Sequence, residues 1–152
     1  MRWGLGMLAL LWPLAAGAQS SWEEATRWCV REDRAITLDT AIAGCTWVIR
    51  SGRADARNRA IAFTNRGLWR RDQGDRAGAL ADTNEAIRLN PADADAFYNR
   101  GLLRGDQGDR AGALADYTEA IRLDPAYALA FTNRGNLRLA QGDRAGALAD
   151  YN

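Results

Sequence analysis

Residues 96–125 read AFYNRGLLRGDQGDRAGALADYTEAIRLDP, and residues 62–91 repeat this segment with few changes. The same pattern starts a third time at Ala130, so the chain repeats itself at an interval of 34 residues. Such a period is typical of arrays built from a small helical unit that cannot cover its own apolar surface. The sequence therefore predicts a stack of similar units.

Each complete unit contains signals for two antiparallel helices. Gly108 supplies a helix stop, and Asp109 supplies a side chain that caps the next helix. Pro125 then blocks continuation of the second helix. Apolar residues of that helix recur at spacings that place them on one face, namely Ala113, Tyr117, Ala120 and Ile121. We therefore predict an all-α protein made of helical hairpins.

The composition disfavours enzymes and nucleic-acid-binding proteins. The 152 residues include 20 basic side chains, all of them arginine, 19 acidic side chains and no histidine. Histidine is the commonest general base and metal ligand, and a formal charge of +1 leaves no basic excess to neutralise nucleic acid. The sequence contains no nucleophile–base pair, phosphate-binding loop or metal-ligand cluster. We expect neither catalysis nor a cofactor or metal, and no nucleic-acid partner.

The repeated residues resemble the tetratricopeptide repeat (TPR) family. The family pattern is met here by Phe97, Gly101, Ala113, Tyr117, Ala120 and Pro125. The resemblance covers residues 60–152, with units at 60–93, 94–127 and 128–152, and it implies a right-handed α-solenoid. One departure is that arginine stands where the family usually has an aromatic residue, at Arg70, Arg104 and Arg138. We expect the preceding residues to carry part of that packing, at Trp69, Leu103 and Leu137.

The third unit stops at Asn152, inside its second helix. Two interpretations stay open: the chain is a fragment of a longer protein, or its exposed end self-associates or recruits a partner.

The first eighteen residues have the pattern of a secretory signal peptide. Residues 5–16 form an apolar stretch after Arg2, and small residues at Ala16 and Ala18 precede the predicted mature start at Gln19. The apolar stretch is shorter than the about 20 residues that span a bilayer, although an uncleaved anchor is the alternative. We predict export and no stable membrane insertion after cleavage. The resemblance to short exported repeat proteins implies that the compartment is a bacterial periplasm.

Residues 19–59 are predicted to form a degenerate repeat that caps the array. Residues 41–50 align with residues 113–122, and a polar linker is predicted at residues 53–59. In this alignment Cys29 and Cys45 lie on the facing sides of the two helices. A disulfide is expected for an exported protein, with free thiols or a redox pair as alternatives. Three tryptophans are expected to pack in the same cap, at Trp22, Trp28 and Trp47.

The resemblance implies that the first helices of the units line a concave surface. Asn65, Asn99 and Asn133 occupy one position of that surface, where asparagines of similar TPR proteins hydrogen-bond the backbone of an extended peptide. The flanking candidates for ligand contact are Thr64, Tyr98, Thr132, Leu68, Leu102 and Asn136. The alternative is that these asparagines satisfy neighbouring groups of the scaffold.

Arg66, Arg100 and Arg134 also recur with the period of the repeat. Anion binding is one interpretation. The favoured one is an internal ion pair with an aspartate of the paired helix, at Asp82, Asp116 and Asp150.

These patterns together predict a non-enzymatic scaffold that binds an extended segment of another protein in its concave groove. The alternative is a structural or regulatory subunit that docks through its convex face or its C-terminal end.

Overall fold

A computed structural model describes residues 18–31, 33 and 35–152, and in these ranges the chain forms eight α-helices and no strand. The predicted signal peptide lies outside the described residues except for Ala18. The helices are α1 (Ala18–Val30), α2 (Leu38–Arg50), α3 (Ala56–Gln73), α4 (Arg76–Leu89), α5 (Ala94–Asp106), α6 (Arg110–Leu123), α7 (Ala128–Ala140) and α8 (Arg144–Tyr151).

The helices pack as four consecutive hairpins, α1 with α2, α3 with α4, α5 with α6, and α7 with α8. The second helix of each hairpin also packs against the first helix of the next one. Each hairpin thereby covers the apolar face that its neighbour leaves open, as expected for a solenoid. The predicted all-α solenoid of antiparallel helix pairs is confirmed.

The turn inside each repeated unit follows the predicted signals. Gly74 ends α3 with a φ of 92°, a left-handed conformation that glycine adopts without steric cost. Asp75 then caps α4, since its carboxylate accepts the Gly78 N–H at 2.9 Å. Asp109 and Asp143 cap α6 and α8 in the same way.

The linker between the second and third helices is shorter than predicted. Residues 53–59 are expected to be linker, but α3 begins at Ala56. Asp55 caps the helix by accepting the Asn58 N–H at 2.7 Å, and the alanines and arginines that follow favour helix formation. The first helix of this unit therefore starts about one turn before the repeated pattern does.

Small residues bring the two helices of each hairpin close together. Alanines at repeated positions are buried, including Ala79, Ala113 and Ala147. A methyl group added at Gly101 would lie 2.6 Å from Cε1 of the buried Tyr117 ring. Glycine at this position is therefore required by the ring that packs over it. Leu103 is buried and Trp69 packs against the N-terminal core. Both residues thus carry part of the packing, as predicted for the positions that precede Arg104 and Arg70.

We expect Gly101→Ala to lower the free energy of unfolding by about 1–2 kcal/mol, because the added methyl group displaces the Tyr117 ring. Gly105→Ala is the matched control. Its new methyl group would lie 3.9 Å from Cβ of Ala113, so this change should leave stability unchanged or raise it by up to about 1 kcal/mol. Urea unfolding followed by circular dichroism measures both. Equal effects of the two changes would contradict the packing role of Gly101.

A disulfide between Cys29 and Cys45 joins α1 to α2, with 4.5 Å between the Cα atoms, so the favoured expectation for this pair is confirmed. It stands where the second hairpin has Gly67 facing Thr83 and where the last two hairpins have a glycine beneath a tyrosine ring. Trp69 of α3 donates its indole N–H to the carbonyl of Cys29 at 2.9 Å, which connects the next hairpin to the same place. Trp22 and Trp47 pack with their rings 5.8 Å apart. The first hairpin is thus a cross-linked cap on the array.

Reduction of this disulfide should destabilise the N-terminal hairpin by about 3 kcal/mol, since the bond closes a short loop in the unfolded chain. Thermal unfolding with and without reductant measures the effect. A Cys29→Ser/Cys45→Ser variant should unfold at the lower temperature under both conditions. Two free thiols titrated in unfolded, unreduced protein would show that the bridge does not form.

Candidate functional site

The first helices of the four hairpins, α1, α3, α5 and α7, form one face of the solenoid, which we call the groove. Asn65, Asn99 and Asn133 are half-buried at the same position of α3, α5 and α7. Asn133 donates its side-chain amide to the hydroxyl of Tyr98 at 3.0 Å. In the described part of the chain, the side chains of Asn65 and Asn99 make no hydrogen bond. Two of the three predicted asparagines therefore keep both a donor and an acceptor available.

Three tyrosine rings pack together beside the groove, at Tyr98 of α5, Tyr117 of α6 and Tyr127 just before α7. The Tyr98 ring lies 5.0 Å from that of Tyr127 and 5.8 Å from that of Tyr117. Tyr127 donates its hydroxyl to Asp95 Oδ1 at 2.5 Å. Burial, reinforced by this hydrogen bond, raises the pKa of Tyr127, so the phenol keeps the proton that it donates. This cluster fixes Tyr98 and, through it, Asn133.

The flanking candidates differ in accessibility. Thr64 is only 8% exposed, so its burial argues against ligand contact at this position. Tyr98 and Thr132 at the equivalent positions are more accessible. Asn136 accepts the Tyr151 hydroxyl at 2.7 Å, and Thr132 is bonded to its own helix. The remaining candidates line the groove half-buried, at Leu68 and Leu102.

An apolar cavity of about 320 Å³ opens between α1 and α3, at the N-terminal end of the groove. Its walls include Trp22, Val30, Val48 and Ile61, and Asn65 lies at its edge. The sequence does not reveal this cavity, because half of its wall comes from the degenerate first hairpin. The only sequence signal for an apolar wall here is that Ile61 stands at the position where the next unit has Asp95.

The repeated arginines form internal ion pairs, which confirms the favoured interpretation. Arg100 Nη2 lies 2.7 Å from Asp116 Oδ1. The corresponding distances for Arg66–Asp82 and Arg134–Asp150 are both 2.6 Å. These aspartates are almost completely buried, as ion-paired carboxylates between packed helices.

A second arginine binds each buried aspartate. This second contact was not predicted from the sequence. Arg104 Nη1 lies 2.8 Å from the other carboxylate oxygen of Asp116. The equivalent contacts are made by Arg70 and Arg138. The signal was present, since the second arginine lies one helical turn after the first in every unit and replaces the usual aromatic residue.

The first arginine also connects neighbouring units. Arg100 Nη1 donates to Asn84 Oδ1 of the preceding hairpin at 3.0 Å, and its guanidinium lies over the Phe97 ring at 5.4 Å from the ring centre. Arg66 and Arg134 make the equivalent bonds to Thr46 and Thr118. Because these guanidinium groups are already bonded on several sides, they do not support the anion-binding interpretation.

Within residues 18–31, 33 and 35–152, no group of three or more Cys, Asp or Glu side chains is arranged to hold a metal ion. In the same part of the chain, no helix combines the length and apolar character needed to cross a bilayer.

Comparison with known proteins gives one family and a set of similar structures. The family described as "TPR repeat" matches residues 67–108 and 104–142, which together make half of the chain. No curated protein matches the sequence.

Three solved structures illustrate the structural likeness. The crystal structure of MamA is 22% identical, with a TM-score of 0.73 over 86% of this chain and 74% of MamA. A tetratricopeptide repeat protein from Parabacteroides merdae ATCC 43184 is 24% identical, with a TM-score of 0.73 over 86% of this chain and 51% of that protein. The second TPR of Spaghetti (RPAP3), bound to the HSP90 peptide SRMEEVD, is 28% identical, with a TM-score of 0.60 over 62% of this chain and 88% of that one.

The buried ion cluster of the middle unit yields a stability test. We expect Asp116→Asn to lower the free energy of unfolding by about 3 kcal/mol, because two arginines lose their shared buried carboxylate. Glu119→Gln, one turn away, removes an exposed pair with Arg122 and should leave the free energy of unfolding nearly unchanged, because water screens an exposed ion pair. Urea unfolding of both variants measures the difference. A small loss for Asp116→Asn would show that the cluster is dispensable.

Proposed function

The chain belongs to the tetratricopeptide repeat family, and on this premise we propose that it is a non-enzymatic scaffold that binds an extended segment of a partner protein in the groove. TPR proteins bind other proteins or peptides, and the TPR fold is associated with protein–protein interaction. The further proposal, that an extended segment binds in the groove, is supported by side chains of this chain.

The observation that carries the proposal is the pair of available carboxamides at Asn65 and Asn99. A carboxamide offers a donor and an acceptor, so it pairs with a backbone peptide group without reading the side chain. The two residues lie one repeat apart on neighbouring first helices. An extended segment crossing α3 and α5 would meet both of them.

The peptide-bound structure of the Spaghetti (RPAP3) domain supports the same use of the fold. That domain holds a peptide of seven residues. A peptide of this length, when extended, is at most about 25 Å long, which is enough to cross two or three neighbouring helices. A ligand of similar length would span the groove from α1 to α5.

We also propose that the protein acts after export, in a bacterial periplasm. Support comes from the signal-peptide pattern of residues 1–18 and from the Cys29–Cys45 disulfide, a bond that persists in oxidising compartments. A partner protein would then be exported as well, or would present a segment in the same compartment.

A second candidate function is favoured by an exposed apolar surface on the last hairpin. Leu148 is 62% exposed and Tyr151 is 46% exposed, whereas the equivalent Leu114 is half-buried and Tyr117 is buried. Apolar surface of this kind marks interaction sites. In this alternative, the protein is a structural or regulatory subunit that docks through α7 and α8 and leaves the asparagines unused.

In-cell crosslinking with affinity capture and mass spectrometry tests the proposal. The wild-type protein is compared with Asn65→Ala/Asn99→Ala and with the control Glu119→Gln, a change on α6 outside the groove, after circular dichroism has shown equal helicity. We expect specific partners to be captured by the wild type and the control, and to be reduced at least about tenfold in the double variant, since two peptide hydrogen bonds are lost.

A Leu148→Asp variant separates the two candidates. If capture persists in the asparagine variant and is lost in Leu148→Asp, the groove is not the working surface and the second function holds. If capture is lost in the asparagine variant alone, the partner binds in the groove.

A further inference from the structure

The apolar cavity between α1 and α3 has the character of a side-chain pocket. We propose that it is the anchor subsite of the groove, which takes one large uncharged aliphatic or aromatic side chain from a bound segment that carries a basic residue on the side of the anchor facing α5. This inference rests on the proposed function and names the class of segment that the groove selects.

The size and lining of the cavity fit a large apolar side chain. Its volume of about 320 Å³ falls in the range of ligand pockets, and every lining residue is uncharged. Val30 is 45% exposed and Ile61 is 42% exposed, and both belong to its wall. Filling the cavity would therefore remove apolar surface from water without burying a charge.

The position of Asn65 connects the cavity to the proposed path of the peptide. Its side chain lies at the edge of the cavity, and in the described residues it has no hydrogen-bond partner. A segment that inserts one side chain between α1 and α3 brings its own backbone to this carboxamide. The inserted side chain then fixes the register in which the backbone continues toward Asn99.

The charges on α5 favour a basic residue on the side of the anchor that faces this helix. Asp95, Asn99, Leu102 and Asp106 follow one another at helical spacing along α5. Asp95 and Asp106 are exposed, and among the described residues neither forms an ion pair. On α3, by contrast, Asp72 is paired with Arg71 at 3.0 Å, and Arg57 interacts with Asp93.

The α5 side of the cavity therefore carries two carboxylates without an ion pair in the described part of the chain, whereas on the cap side the Arg53 guanidinium lies over the Trp22 ring, 5.8 Å from its centre. A lysine or arginine on the side of the anchor that faces α5 would be attracted to these carboxylates, whereas an acidic segment such as the SRMEEVD peptide held by the Spaghetti (RPAP3) domain would be repelled by them.

The cavity forms at the N-terminal end of the groove because one position of the repeat has a different residue in each unit. Ile61 corresponds to Asp95 in the next unit and to Leu129 in the last one. A charged residue at that position of α5 excludes an apolar wall there. Trp22, which completes the wall, comes from the cap and stands where the regular units have the small residues Ala60, Ala94 and Ala128.

Selection from a displayed library of random seven-residue peptides tests the inference. The probe protein is purified after expression of the complete 152-residue sequence. We expect the enriched peptides to share one Leu, Ile, Phe or Trp next to Lys or Arg. Their affinity should fall at least about tenfold for Ile61→Asp, because the buried anchor meets a charge. It should change less than about twofold for Leu129→Asp.

The two variants are matched. Asp95 already occupies the same position of the middle unit, so aspartate is compatible with the helix there, and both replaced residues are exposed. Circular dichroism and thermal unfolding confirm that each variant is folded before binding is measured.

Different failures of this experiment point to different conclusions. If enriched peptides depend on Asn65 and Asn99 but bind Ile61→Asp as well as the wild type, the anchor subsite is wrong and the proposed function stands. If the enriched peptides are acidic or lack a common apolar residue, the anchor is likewise overturned. If no peptide is enriched, or if binding is unchanged when Asn65 and Asn99 are replaced, both the proposed function and the anchor subsite are wrong.

Discussion

A buried carboxylate held by two arginines is the interaction on which the rest of this solenoid depends. The side chain of Asp116 is only 4% exposed, and burial of a charged carboxylate is unfavourable unless it is paired and hydrogen-bonded. Arg100 and Arg104 supply both requirements from the paired helix. Arg100 also bonds Asn84 of the preceding hairpin, so one cluster couples packing within a unit to packing between units. The alanines around the cluster pack closely, but a methyl group alone does not fix how one helix is aligned along the other.

The same clusters shape the groove. Because the repeated arginines turn inward toward the paired helices, they are not available on the surface where a ligand would lie. The groove is left with carboxamides, a few aspartates and apolar side chains. Its two ends then differ: Asn133 is bonded to Tyr98 at one end, and an apolar cavity is open beside Asn65 at the other. A periodic sequence thus produces a surface that is not periodic.

The N-terminal hairpin has two roles in this arrangement. The Cys29–Cys45 disulfide holds its helices together where the last two hairpins rely on a glycine beneath a tyrosine ring. Trp69 reaches back from α3 to the carbonyl of Cys29, which fixes the hairpin against the first regular unit. With its position fixed, the hairpin contributes Trp22 and Val30 to the cavity. The cap that protects the end of the array is therefore also part of the surface proposed to bind a ligand.

The sequence by itself determined the helical hairpins, their turns, the disulfide and the first arginine of each cluster. These features depend on short-range signals such as the Gly-Asp turn, or on residues that recur at a fixed interval of 34 positions. Tertiary structure alone decided that Thr64 is buried, that Asn133 is engaged by Tyr98, and that a cavity opens between α1 and α3. The physical reason is that equivalent positions have different neighbours. Contacts between residues 35 positions apart depend on which side chains meet across two packed units, and the period of the sequence does not specify that.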